Sequence, residues 1–471
     1  MNFSREATGA KFQSRADFGF TGLHGIFLFQ KDFRKKIGLP TDVFPSGLHY
    51  YWNFGSKRLR QNTKQFQTQF LKSKKMNQLK LAAYALALCT LMTQWACQKE
   101  VIIDPVGEAI TFDSKTFSTE QQTWTNHNKN GVDYVVKGRL MFQINSKLTI
   151  EPGTEIVFEN DGSLVLNNSI LHAIGSSSEH ILFRGQDDVK GFWKSIKFYN
   201  STDNRMAYCD VRDAGAHTSS EFFQYGGGAV IVGNSLGDAG LSLENCAISN
   251  SSSFGIFIDQ DSELSAFSGN TVTNCDYVAY VGANSLGQLA GSANQLTGNT
   301  HEQVKVEGGQ VRATALWPAL PVSFLFSDDT QIENEVTIEP GATLLFEANA
   351  ELILYRNNST IGKLLAEGSP AKPILFKGAS STAGFWKGIK INAGLARLSY
   401  CNVSDAGKTG GNPSGSMYIT KAIGDVNVTI QNSSFSNSSS HGLCIRSNTS
   451  NDVILSNNFF SGINGNNVHY W

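Results

Sequence analysis

The chain has 471 residues and a formal net charge of −1, with 45 glycines and only 10 prolines. That length supports two or three ordinary domains, or one long repeat array. The total is near neutral, and no recognisable nucleic-acid-binding pattern accompanies its basic stretches, which argues against DNA or RNA as a partner.

The charge is unevenly spread. Residues 1–75 hold 14 Lys and Arg against 4 Asp and Glu, whereas the chain after Cys97 holds 24 against 36. The opening segment reads as sequence upstream of the true start at Met76; the alternative is a basic, aromatic cytoplasmic arm whose Lys57-Arg58-Leu59-Arg60 touches nucleic acid. Residues 76–96 read as a secretory signal: Lys80, an apolar run from Leu81 to Met92, then Ala96 directly before Cys97. The apolar run is short for a membrane span. This anatomy resembles a bacterial lipoprotein signal, with Gln94 standing where leucine is usual. The resemblance implies that the Cys97 thiol is acylated and becomes the mature N-terminus. Gln98-Lys99-Glu100 is similar to the charged tag of Bacteroidota surface lipoproteins. The implied location is the outer membrane, facing the cell exterior, with a lipid anchor as the membrane partner.

Residues 97–120 are weakly patterned and read as a tether. From Trp124 a rhythm of short apolar-alternating runs sets in: 134–136, 148–150, 156–158, 164–166, 181–183 and 196–198. Gly, Asn, Asp or Pro falls between most of them. Alternate residues of a strand share a face, so each run supplies two or so side chains to one core. Leu148-Thr149-Ile150-Glu151-Pro152-Gly153 recurs as Val336-Thr337-Ile338-Glu339-Pro340-Gly341. Gly191-Phe192-Trp193-Lys194-Ser195-Ile196 recurs as Gly384-Phe385-Trp386-Lys387-Gly388-Ile389, and Tyr208-Cys209-Asp210-Val211 as Tyr400-Cys401-Asn402-Val403. A repeat built of short strands marks a solenoid. The predicted fold class is all-β, with one copy over residues 121–311 and a second over 312–471. These features resemble the right-handed parallel β-helix, the pectin-lyase-like fold of many bacterial surface proteins. About 12–16 coils at ~4.8 Å each are expected.

Within each copy a finer period predicts that Cys209, Cys246 and Cys275 occupy one rung, matched in the second copy by Cys401, Ser433 and Asn457. Buried free thiols facing inward are the expected state of the five later cysteines, and a Cys209–Cys246 bridge between adjacent coils is the alternative. Trp193 and Trp386 read as packing residues, with sugar stacking as the alternative. Ser440-His441-Gly442 is faintly similar to the Gly-His-Gly element of β-helix polygalacturonases. The first copy, however, carries Phe254 at that position, which points to an ordinary coil residue. Asp259, Asp261 and Glu263 would share one face of an extended strand and so form a candidate calcium site; their other reading is a solvated acidic edge. No catalytic residue is assigned and no other cofactor is expected. The functional expectation is a non-catalytic module binding a polysaccharide or a surface protein. The alternative is a polysaccharide lyase or glycoside hydrolase acting on an acidic polymer.

Overall fold

A computed structural model describes residues 107–471, apart from 114–116, 119, 130, 217–226, 234–236 and 409–412. The basic segment, the stretch read as a secretory signal and Cys97 lie outside the described residues.

The described chain winds as a parallel β-helix. Its strands form five sheets, and every strand pairing within them is parallel. One sheet of fourteen strands runs through both copies; two shorter sheets flank it in the first copy and two others in the second. We call the fourteen-stranded one the long sheet. Thirteen strand spacings make it roughly 62 Å from end to end, within the range expected from the repeat. The strand Ile110–Phe112 already pairs with Tyr134–Val136, so the coil begins inside the stretch read as a tether.

The Glu-Pro-Gly turns show why the sequence coils. Proline presets the first turn position, and the following glycine takes a left-handed conformation (φ 78° at Gly153, 97° at Gly341). The turn closes with Thr154 N–H donating to the Glu151 carbonyl at 3.4 Å and Ala342 N–H to the Glu339 carbonyl at 3.1 Å. Each turn delivers the next strand in register with its neighbour one coil away, so like residues stack. Leu140, Leu164, Ile196, Val230 and Ile256 form one such column. The columns merge into a single apolar cluster that includes both Ile150 and Ile338 and extends from Trp124 to Ile445. Burying each such side chain stabilises by about 1.5–3 kcal/mol, and the two copies therefore share one interior.

The copies are not simply stacked. Ile181–Gly185 lies in a flanking sheet, but its repeat Ile374–Gly378 lies in the long sheet. Ser195–Tyr199 lies in the long sheet, while its repeat Gly388–Ile391 lies in a flanking one. The second copy is thus turned by one face relative to the first. The handover falls between Tyr277–Gly282 and His301–Glu307, adjacent strands of the long sheet joined through a short 3-10 turn, Leu286–Leu289.

The rung assignment for the cysteines needs two corrections. Asp210 pairs with Ala247 and Ala247 with Thr271, so the column runs Cys209, Cys246, Asn270. Cys275 sits at the next corner, where its N–H donates to Asn299 Oδ1 at 3.0 Å. In the second copy Cys401 N–H donates to Ser433 Oγ and Ser433 N–H to Asn458 Oδ1, so Asn458, not Asn457, completes the column. An asparagine succeeds there because its amide answers both a backbone N–H and a backbone carbonyl of the preceding coil: Cys246 N–H and the Leu243 carbonyl for Asn270, Ser433 N–H and the Ile430 carbonyl for Asn458. The cysteine-to-asparagine spacing in the sequence misleads because the connecting loops vary in length.

Candidate functional site

Left-handed corners follow the long sheet in the first copy at Ile144, Asn145, Asn168 and Asn200, with φ between 52° and 60°. Asparagine tolerates this conformation better than other residues with a Cβ. Successive corners stack: Asn145 N–H donates to the Asn168 carbonyl at 2.7 Å and Asn168 N–H to the Tyr199 carbonyl at 2.9 Å. One position earlier, Gln143 pairs with Asn167 and Asn167 with Tyr199. Asn200 Nδ2 donates to Asn167 Oδ1 at 3.1 Å. The result is a cleft of about 510 Å³ lined by Gln143, Ile144, Asn167, Asn168 and Asn200. Ile144 is 65% exposed and gives the cleft an apolar lip. Neutral amides offer both donors and acceptors, the complement of hydroxyl groups.

The same outward rung continues with a different chemistry. Ile258 pairs with Val281, so the next residues, Asp259 and Gly282, lie side by side; Gly282 in turn pairs with Glu307. Two carboxyls therefore flank a residue with no side chain. Burial pushes Asp259 above the usual carboxylate range, reinforced by Asp238 and Asp261. Burial also raises Glu307, with Asp259 adding to it, against a hydrogen bond from Tyr280.

The extended-strand premise for Asp259, Asp261 and Glu263 does not hold. Ser262 N–H donates to the Asp259 carbonyl at 3.0 Å, which closes a turn. Ser262 is buried and accepts from Ala239 N–H at 3.0 Å. Asp261 points to solvent, and Glu263 opens a strand of the neighbouring sheet. The chain rounds a corner between walls here, so the three carboxylates do not share a face. Among the described residues no three His, Cys, Asp or Glu side chains converge to hold a metal ion.

Both repeated tryptophans are core. Trp193 stacks on Phe158 at 3.9 Å and Trp386 on Phe346 at 4.1 Å, each within 6° of parallel. Their ring N–H groups donate to the Arg212 and Ser404 carbonyls. Each pins the corner built by Asp-Ala-Gly, where Asp213 and Asp405 are 4% exposed. Asp405 accepts from Asn437 and from Ser404. Asp213 accepts from Asn250, but its Oδ2 has no partner, because Arg212 stands where Ser404 would be. Burial accordingly raises the Asp213 carboxyl above its ordinary range.

The five described cysteines are buried free thiols. Four belong to the interior; Cys444 instead points outward, with its Sγ 3.7 Å from the Pro413 carbonyl, which corrects the inward placement expected for all five. Burial pushes Cys401 up to about 12 and Cys275 and Cys444 to about 11, so these sulfurs stay protonated and poorly nucleophilic. His441 is an ordinary coil residue in register terms: it pairs with Gly415 as Phe254 pairs with Gly228.

The amide cleft and Glu307 were not singled out in the sequence. The asparagines at 145, 168 and 200 were visible, but corner asparagines also serve simply as turn punctuation. Comparisons of the chain with known protein families, with characterised proteins and with solved structures return no match.

Proposed function

We propose that this chain is a non-catalytic binding module that holds an extended glycan through the amide cleft of its first copy. The observation that carries this reading is the stacked set Gln143, Asn167, Asn168 and Asn200 opening outward beside Ile144. Uncharged amides repeating at the strand spacing suit the hydroxyls of a linear polymer lying along the axis. Repeat solenoids present extended surfaces of this kind. In the finer reading the fold is of the pectin-lyase-like type. The module then stands on the outer face of a Bacteroidota-type outer membrane, tethered by an acyl chain on Cys97. That rests on the order of charged residue, apolar run, alanine and cysteine in the sequence.

A hydrolase reading draws on Asp259 and Glu307. Two strand spacings separate them by about 10 Å along the backbone, near the roughly 6.5–9.5 Å between carboxyls of inverting glycosidases. Their raised carboxyls would suit a general acid.

A glycan array, followed by titration of retained polymers, separates these readings. Asn167→Ala is expected to weaken the retained glycan at least about tenfold, the loss of one or two hydrogen bonds to a polar ligand, without new chain ends appearing. Reducing ends or unsaturated uronates that vanish in Glu307→Gln would replace the binding reading by the catalytic one. For the anchor, metabolic labelling with a fatty acid in a bacterial host is expected to mark the native protein and not Cys97→Ala. Equal labelling of both removes the lipoprotein reading.

A further inference from the structure

The two copies differ at one outward cluster in a way that changes its chemistry. In the first copy Ile231, Phe257 and Tyr280 are register partners, and Phe254 packs edge-on to Tyr280 at 5.4 Å. In the second copy the corresponding partners are Tyr418, Cys444 and His469, and His441 takes the place of Phe254. An uncharged aromatic pair has become a pair of imidazoles. The His441 and His469 rings stack at 4.2 Å, 5° from parallel.

Asn466 ties both rings. Its backbone N–H donates to His441 Nδ1 at 2.9 Å. Its amide nitrogen lies 3.3 Å from His469 Nδ1, and an amide nitrogen can only donate. His441 Nδ1 therefore acts as an acceptor, which places its ring proton on Nε2, and the amide donor of Asn466 favours the same tautomer in His469. The corner from Asn464 to Asn467 is held further by Gly442 N–H on the Asn466 carbonyl and Leu443 N–H on the Asn467 carbonyl. From it leads the strand Val468–Tyr470, and then Trp471, stacked near Tyr418 at 5.7 Å.

We propose that the His441–His469 stack is a proton-sensitive clasp, which holds the Val468–Tyr470 strand on its coil at neutral pH and releases it in acid. Adding a proton to either ring sets an N–H on Nδ1 against the donors of Asn466. Adding two sets a pair of cations face to face. The other groups around the stack keep their charge over this range. Tyr418 and Cys444 are raised by burial and remain neutral. Arg446 is cationic throughout and lies over Trp471 at 5.4 Å. The strand Phe459–Ile463 and the 464–467 corner carry no ionisable side chain. Burial and the neighbouring His469 hold His441 below its ordinary value. The unfolded segment then binds protons more readily than the folded one. The clasp contributes fully above the ordinary imidazole pKa of about 6.5 and is lost as pH falls below it.

Hydrogen exchange of the full chain, corrected for intrinsic rates, tests this at neutral and mildly acidic pH. Residues 464–471 are expected to lose protection by about tenfold per pH unit of difference between the two states' pKa values. The variant His441→Phe/His469→Tyr, which installs the first copy's residues, is expected to show no such loss. Equal loss in both proteins overturns the clasp. So does an NMR titration of the native protein in which His441 titrates at or above the ordinary imidazole value, a readout that does not depend on the variant folding.

Discussion

Trp386→Ala is expected to destabilise the protein by about 3–5 kcal/mol, the usual cost of emptying a buried aromatic site. The ring is fully buried, lies parallel to Phe346 and donates to the Ser404 carbonyl at 2.8 Å. The substitution removes the stack, opens a cavity and leaves that carbonyl without its donor. Urea unfolding followed by near-ultraviolet circular dichroism measures it. Trp386→Phe keeps part of the stack and is expected to recover most of the loss. A residue serving a sugar would behave in the opposite way, with binding lost and the midpoint unmoved; that outcome would reject the packing assignment.

Asn270→Leu carries the second large expectation, a loss of about 2–4 kcal/mol despite the near match in size, because two buried backbone groups lose their partners. Asn270 Oδ1 accepts from Cys246 N–H at 2.9 Å, and its Nδ2 donates to the Leu243 carbonyl at 2.8 Å. Its own N–H donates to Asn294 Oδ1, so the amides form a short ladder close to the handover between copies. Faster hydrogen exchange at Cys246 should accompany the loss. A loss of unfolding free energy below about 0.5 kcal/mol, the range of an unremarkable surface change, would show that the ladder is incidental.

The repeat made much of the architecture legible. Glu-Pro-Gly between two apolar-alternating runs states strand, turn, strand without reference to the rest of the chain, and its recurrence states that the unit is stacked. What escaped is what loops control. Cys275 resembles Cys246 in its local surroundings, yet Asn270 holds the column, because only a coordinate register counts residues around a coil of varying length. Asp259, Asp261 and Glu263 alternate as a strand would, but the backbone turns between them. The candidate site was harder still to see. Gln143, Asn167 and Asn200 are far apart in sequence and meet only by stacking. The Asp259–Glu307 relation needs two successive pairings across Gly282 to appear at all.

The one-face turn between the copies has a geometric consequence. Had the duplicated halves been aligned, matching patches would form one continuous track along a single side of the rod. Instead the wall bearing Ser195–Tyr199 and the wall bearing its repeat Gly388–Ile391 look in different directions. A line drawn along one wall therefore leaves the rows of the first copy and meets non-equivalent rows of the second, so the duplication lengthens the coil without lengthening any one surface pattern.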